Sequence, residues 1–166
     1  LSRWRGYQQI DRVYGPDLME AACERAVALG QRWYLYGAGP GVADELAAVL
    51  TARYPGLQIV GTCSPPFGAL TPEEDTALIA QINAAQPDVV WVALGSPKQD
   101  HWMADHREQL TAPVLIGVGA AFDFLTGRVR QAPRWMKRAA LAWLFRLVTQ
   151  PRRLWRGYVV YHPLFV

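Results

Sequence analysis

Sulfur chemistry is nearly absent from this chain. Cys23 and Cys63 are the only cysteines; they lie far apart and neither has C-x-x-C spacing. That excludes a disulfide framework and a cysteine-based metal site, and it fits a reducing compartment. Histidine is scarce too: His101, His106 and His162 have no accompanying ligand set, so they read as solvent or packing histidines, and neither a metal nor a cofactor is expected. No run of 18 apolar residues occurs, and the opening LSRWRGYQQI lacks the charged-then-apolar order of a signal peptide. The expectation is a chain neither exported nor membrane-spanning. It opens on Leu1 rather than Met, as a piece of a longer protein would. Acidic residues are missing from one end: residues 124–166 carry nine Lys or Arg and no Asp or Glu, and the rest carries eight bases against fourteen acids. A segregated basic end of this size points to a polyanionic partner such as nucleic acid, a membrane surface or a phosphorylated substrate.

What is present describes one globular domain, since 166 residues with 51% hydrophobic content suffice for a substantial core. The organising stretch is VVWVALGSPKQ, residues 89–99. Its apolar run reads as a strand buried on both faces, as in a parallel sheet. Gly95 breaks the strand, Ser96 suits an N-cap, Pro97 the first helical position, and Gln99 the place from which a capping-box side chain reaches back. Free amides of a helix start at a strand's carboxyl end make an anion site in open α/β folds. Lys98, a cation in a first turn, opposes the helix dipole and suits a bound phosphate. A well-capped helix with a solvated lysine accounts for the same residues, and both readings stand at this point.

The rest repeats the strand–loop–helix unit. The Gly15-Pro16 pair reads as a turn, followed by a helix over 17–29 closed by Gly30. A strand over 32–36 leads into Gly37-Ala38-Gly39-Pro40-Gly41 and a helix over 42–54. A dinucleotide fingerprint needs glycine at position 42, which is Val, and an acid near the end of the next strand, 57–62; neither is present. Thr71-Pro72-Glu73-Glu74 combines an N-cap, Pro at N1 and Glu at N3, and that helix runs to about residue 85. Strands over 88–94 and 113–118 flank a helix reaching about residue 110. Gly117-Val118-Gly119 again puts glycine at a strand's carboxyl end, where a ligand approaches the main chain. Asp123 suits ribose or sugar hydroxyls, or equally a helix cap. Pro133 to Val148 reads as an apolar helix with Arg134, Lys137 and Arg138 in its first two turns. Arg152, Arg153 and Arg156 mix with aromatics as in interfacial helices.

Four blocks, YGAGPG (36–41), LGSPKQDHW (94–102), GVGAAFDFLTGRVRQAPRW (117–135) and LAWLFRLVTQPRRLWRGY (141–158), together resemble the WecG/TagA/CpsF glycosyltransferases, glycosyltransferase family 26, over nearly the whole chain. The resemblance implies an α/β, Rossmann-like, mainly parallel sheet flanked by helices over residues 1–127, binding a UDP-sugar, and a basic helical appendage over 128–166. It implies inverting transfer of an N-acetylmannosamine-type or related sugar from a UDP-sugar to an undecaprenyl-diphosphate-linked acceptor. The place would be the cytoplasm, peripherally at the inner face of the plasma membrane, in cell-surface polysaccharide synthesis, without nucleic acid as partner. Arg12 and Gln99 match pocket positions, and Asp123 matches the F-D position. Asp100 stands where the family usually has Glu, Gln131 where it has Arg, and Ala142 where Glu often precedes the tryptophan. The family's proposed general-base aspartate lies in an A-D-G-type segment upstream of the R-V-x-G block. No Asp precedes Asp11, and Asp11 lacks that context, so residues 1–166 alone are expected to turn over weakly while still binding UDP.

The donor is accordingly expected across Gly37, Gly39, Gly95, Lys98, Gln99, Gly117, Gly119 and Asp123. Acceptor and lipid phosphates are expected on Arg134, Lys137, Arg138, Arg152, Arg153 and Arg156. A nicotinamide-dependent oxidoreductase on the same βα units is the alternative, and a non-enzymatic polyanion-binding module a third class. Each Lys or Arg near an anionic bilayer contributes about 1 kcal/mol, screened by salt. Replacing Arg152, Arg153 and Arg156 with Glu is therefore expected to abolish sedimentation with anionic liposomes and leave UDP affinity little changed. Sedimentation equal to the parent's in low and high salt would show an ordinary solvated face.

Overall fold

The computed structural model of the protein describes residues 13–66, 70–130 and 145. The chain divides into two units, 1–129 and 130–166, and everything below concerns the first. The basic helical tail expected after residue 128 lies almost wholly outside the described residues.

Four strands form one sheet: β1 (Arg32–Gly37), β2 (Gln58–Cys63), β3 (Val89–Ala93) and β4 (Val114–Gly117). Their order is β2-β1-β3-β4 and every pair is parallel. The helices are α1 (Gly15–Leu29), α2 (Val42–Arg53), α3 (Pro72–Ala84), α4 (Lys98–His106) and the short α5 (Ala121–Leu125). This is an α/β, Rossmann-like arrangement. Each strand lies within a residue or so of its sequence-based span.

Parallel pairing explains the composition of the strands. Crossover helices cover both sheet faces, so successive strand residues enter two different cores. Trp33, Leu35, Val89, Trp91 and Ala93 pack with α1, α2 and α5. Tyr34, Tyr36, Val90 and Val92 pack with α3 and α4. β3 is buried at all five positions, the physical counterpart of its uninterrupted apolar run. Trp33 and Trp91 meet edge-on at 4.9 Å between ring centroids, an arrangement favoured by the ring quadrupoles. At the amino end of the sheet the Arg32 amide donates to Asp88 Oδ2 at 2.7 Å, and the Asp88 amide donates to the Arg32 carbonyl at 2.8 Å. This reciprocal pair of hydrogen bonds fixes the register of β1 against β3.

The helix starts follow local chemistry, with two corrections. Thr71 accepts from the Glu74 amide while Glu74 accepts from the Thr71 amide, the capping box expected at α3. Gly15-Pro16 is not a turn before α1 but its first turn, because proline's fixed φ and missing N–H suit that position. α4 begins at Lys98 with Pro97 as its cap residue and no side-chain cap bond, so Ser96 does not cap it as expected. α4 also ends at His106 instead of near 110: the Gln109 and Leu110 amides both donate to the His106 carbonyl, and Arg107 reaches over to the Ala112 and Leu110 carbonyls.

Trp91 is 1% exposed at the centre of the larger core. Trp91→Ala is expected to lower the unfolding free energy by about 3–5 kcal/mol, measured as a shifted urea midpoint at unchanged slope.

Candidate functional site

The strand order places β1 and β3 side by side while α2 leaves on one face and α3 on the other. Between these strands the strand order reverses, and open α/β sheets bind ligands in the crevice beyond the carboxyl ends at such a point. The crevice is built by main-chain contact. A Cβ at Gly37, whose φ is +114°, would lie 2.7 Å from the Ala93 carbonyl carbon and 2.8 Å from its oxygen. The Ala38 amide donates to that same oxygen at 2.8 Å, and Ser64 Oγ donates to the Gly37 carbonyl at 3.2 Å. The ends of β1, β2 and β3 thus meet at one place. Among the described residues, the amides of Gly39, Gly95 and Ser96 make no backbone hydrogen bond.

Gln99 joins a further loop to these. It is 7% exposed, its Nε2 donates to Ser96 Oγ at 3.3 Å, and its Oε1 accepts from the Gly119 amide at 2.9 Å. This explains the missing cap: the hydroxyl and amide expected to serve the helix end serve each other and the β4–α5 loop instead. A Cβ at Gly117 would stand 2.8 Å from Gln99 Nε2 and 3.0 Å from its Cδ. The Gly117-Val118-Gly119 motif is therefore a socket for Gln99, and the Gly119 amide is already engaged. Asp123 is half-buried in the first turn of α5 and is not its cap residue, which is Ala120. Lys98 is exposed at the head of α4. Arg12, Arg134, Lys137, Arg138, Arg152, Arg153 and Arg156 lie outside the described residues.

A groove of about 500 Å³ opens beside the crevice, between α3 and α4. Lys98, His101, Trp102 and Asp105 form one wall, a stripe of α4 at i, i+3, i+4 and i+7; Pro72 and Asp75 line the α3 side, over Tyr36. Tyr36 and Trp102 rings lie 4.4 Å apart. Behind the wall sits His106, 8% exposed, with Nδ1 2.7 Å from the Trp102 carbonyl and Nε2 2.7 Å from Asp75 Oδ2. Its ring stacks on Trp102 at 4.7 Å. His106 is thus a packing residue, as expected, and also the pin between the two helices. The sequence reading missed the groove. Its only signal was the α4 stripe, because Asp75 and His106 are 31 positions apart.

Burial first and the Asp44 carboxylate second push the Cys63 thiol up, which leaves it a poor nucleophile. Burial and then Cys63 push the Tyr34 phenol up to about 12. Among the described residues no group of three or more His, Cys, Asp or Glu comes together as a metal site, and no helix is long and apolar enough to cross a membrane.

The profile of the glycosyl transferase WecG/TagA/CpsF family matches residues 1–166. The chain belongs to this family. WecG/TagA/CpsF proteins are glycosyltransferases of cell-surface polysaccharide synthesis, which implies sugar donor and acceptor substrates. At the β2 end Thr62 donates to Asp44 of α2, and β2 itself, QIVGTC, lacks the acid with which a dinucleotide fold holds a ribose.

The socket is testable in this WecG/TagA/CpsF chain. Gly117→Ala is expected to push the Gln99 amide aside and speed hydrogen exchange at the Gly119 amide roughly fivefold, the worth of one ordinary hydrogen bond. Gln99→Ala should do the same, and the double variant should add little to either. Unchanged protection of Gly119 in Gly117→Ala would show that the glycine is not needed for the bond.

Proposed function

We propose that the chain is the UDP-sugar-binding part of an inverting transferase. It passes an N-acetylmannosamine-type or related sugar to an undecaprenyl-diphosphate-linked acceptor at the inner face of the plasma membrane. The observation that carries this is the crevice between β1 and β3, where, among the described residues, the amides of Gly39, Gly95 and Ser96 make no backbone bond beside Lys98. Main-chain amides at a helix start and a lysine meet the charge of a diphosphate. The adjoining groove, about 500 Å³ with Tyr36 and Trp102 in it, has the size of a small-ligand pocket and takes the uridine. Asp123, on the β4 side, is the carboxylate offered to sugar hydroxyls.

In this reading Gln99 braces the loops that hold the donor, and Arg12 comes from the segment preceding α1. Attack by the acceptor hydroxyl needs a base within reach of its proton, and the resemblance assigns that base to an upstream aspartate. The nine bases after residue 124 bring acceptor and lipid phosphates together.

Isothermal titration with UDP in excess chelator is expected to give one site per chain. At 100 times its dissociation constant UDP should stabilise the fold by roughly 2.7 kcal/mol, raising the melting temperature where NAD does not. No heat with UDP, or a larger shift with NAD, would overturn the donor reading.

A further inference from the structure

The groove between α3 and α4 contains a carboxylate that is held firmly and only half used. Asp75 sits one turn into α3, just beyond the reciprocal Thr71–Glu74 capping bonds, and its amide donates to the Thr71 carbonyl at 2.9 Å. His106 of α4 lies 2.7 Å from Asp75 Oδ2 and is itself fixed by the Trp102 carbonyl at 2.7 Å. A buried ring anchored at both nitrogens sets the rotation of the carboxylate it touches. The Asp75 side chain keeps 32% of its surface exposed, and among the described residues its Oδ1 accepts no hydrogen bond. Trp102, in the opposite wall, carries an indole N–H that is buried and, among the described residues, has no partner, and Lys98 and His101 line the same groove.

We propose that Asp75 is the specificity-determining residue of this groove, accepting an imide N–H of the ligand's base on Oδ1 and so selecting uracil over cytosine. The inference rests on the nucleoside reading of the groove given above. The chemistry is complementary. The uracil edge presents a carbonyl, an N–H and a second carbonyl, whereas cytosine presents a ring nitrogen lone pair where uracil has the N–H. An ionised carboxylate is an acceptor only, so when it faces the ring-nitrogen position it bonds the uracil N–H and is repelled by the cytosine lone pair. A site built around one donor rejects the analogue lacking it, because its own polar group is then left desolvated and unpaired. His106 is the positioning residue that holds the acceptor in place.

The test is isothermal titration of the full chain with UDP, CDP and 3-methyluridine diphosphate, whose N–H is blocked. UDP is expected to bind at least about tenfold more tightly than either, the scale of one hydrogen bond to a charged group. In Asp75→Asn, whose amide turns either a donor or an acceptor to the base, the preference for UDP over CDP should fall to within about threefold. Asp75→Ser should do the same, with folding of both variants checked by thermal melting. Equal affinity of the parent for UDP and 3-methyluridine diphosphate overturns the proposal without any variant, and so does an undiminished UDP preference in the folded variants. In both cases UDP still binds and the donor reading stands. Absence of UDP binding by the parent overturns the donor reading and this inference with it.

Discussion

The main chain of Gly37 runs so close to that of Ala93 that no side chain fits between them, and the carboxyl edge of the sheet depends on that approach. A parallel sheet covered on both faces leaves ligands only its strand ends. With the carboxyl ends of β1 and β3 drawn together, the loops that follow diverge around a cleft whose walls are backbone. Backbone amides are fixed dipoles, already oriented before an anion arrives, so binding it needs little reorganisation. The reciprocal pair of hydrogen bonds between Arg32 and Asp88 at the other end of the same strands holds the register that makes the contact.

The two faces of the sheet then differ in purpose. On one, α1, α2 and α5 close over tryptophan and aliphatic side chains. On the other, α3 and α4 stand far enough apart to leave a groove, and a cross-link by His106 replaces close packing between them. A polar pin of this kind suits a cavity wall: it fixes two helices at a set separation, where apolar side chains would draw them together. Among the described residues the indole N–H groups of Trp33, Trp91 and Trp102 are all buried without a partner, and an unmet buried donor is unfavourable by about 1–3 kcal/mol.

The central strands β1 and β3 were legible because they are buried on both faces, whereas the edge strands β2 and β4 are only partly buried and were legible from the short apolar runs between their flanking loops. The α3 start was legible because Thr71 and Glu74 carry the whole capping box in four residues. Failures arose wherever a local signal met a distant partner. Ser96, Pro97 and Gln99 spell a capped helix, but Gly119, twenty positions on, takes the acceptor oxygen of Gln99. Gly117 and Gly119 suggest open space for a ligand, yet Gln99 fills part of it. Gly15-Pro16 was misjudged in kind, since the same dipeptide serves a turn and a first helical turn. Asp75 and His106, on different helices, have no sequence relation from which their contact follows.

Gln99 and Gly117 also bear on how such a chain changes through descent. A side chain at 117 and an amide at 99 compete for the same few ångströms, so neither position varies alone without loss. A lineage that gains a larger residue at 117 has to surrender or shorten the amide in the same interval. Across relatives the two sites should therefore drift as a linked pair, with glycine retained wherever glutamine is. The bond to the Gly119 amide would mark which lineages still keep their β3 and β4 loops tied.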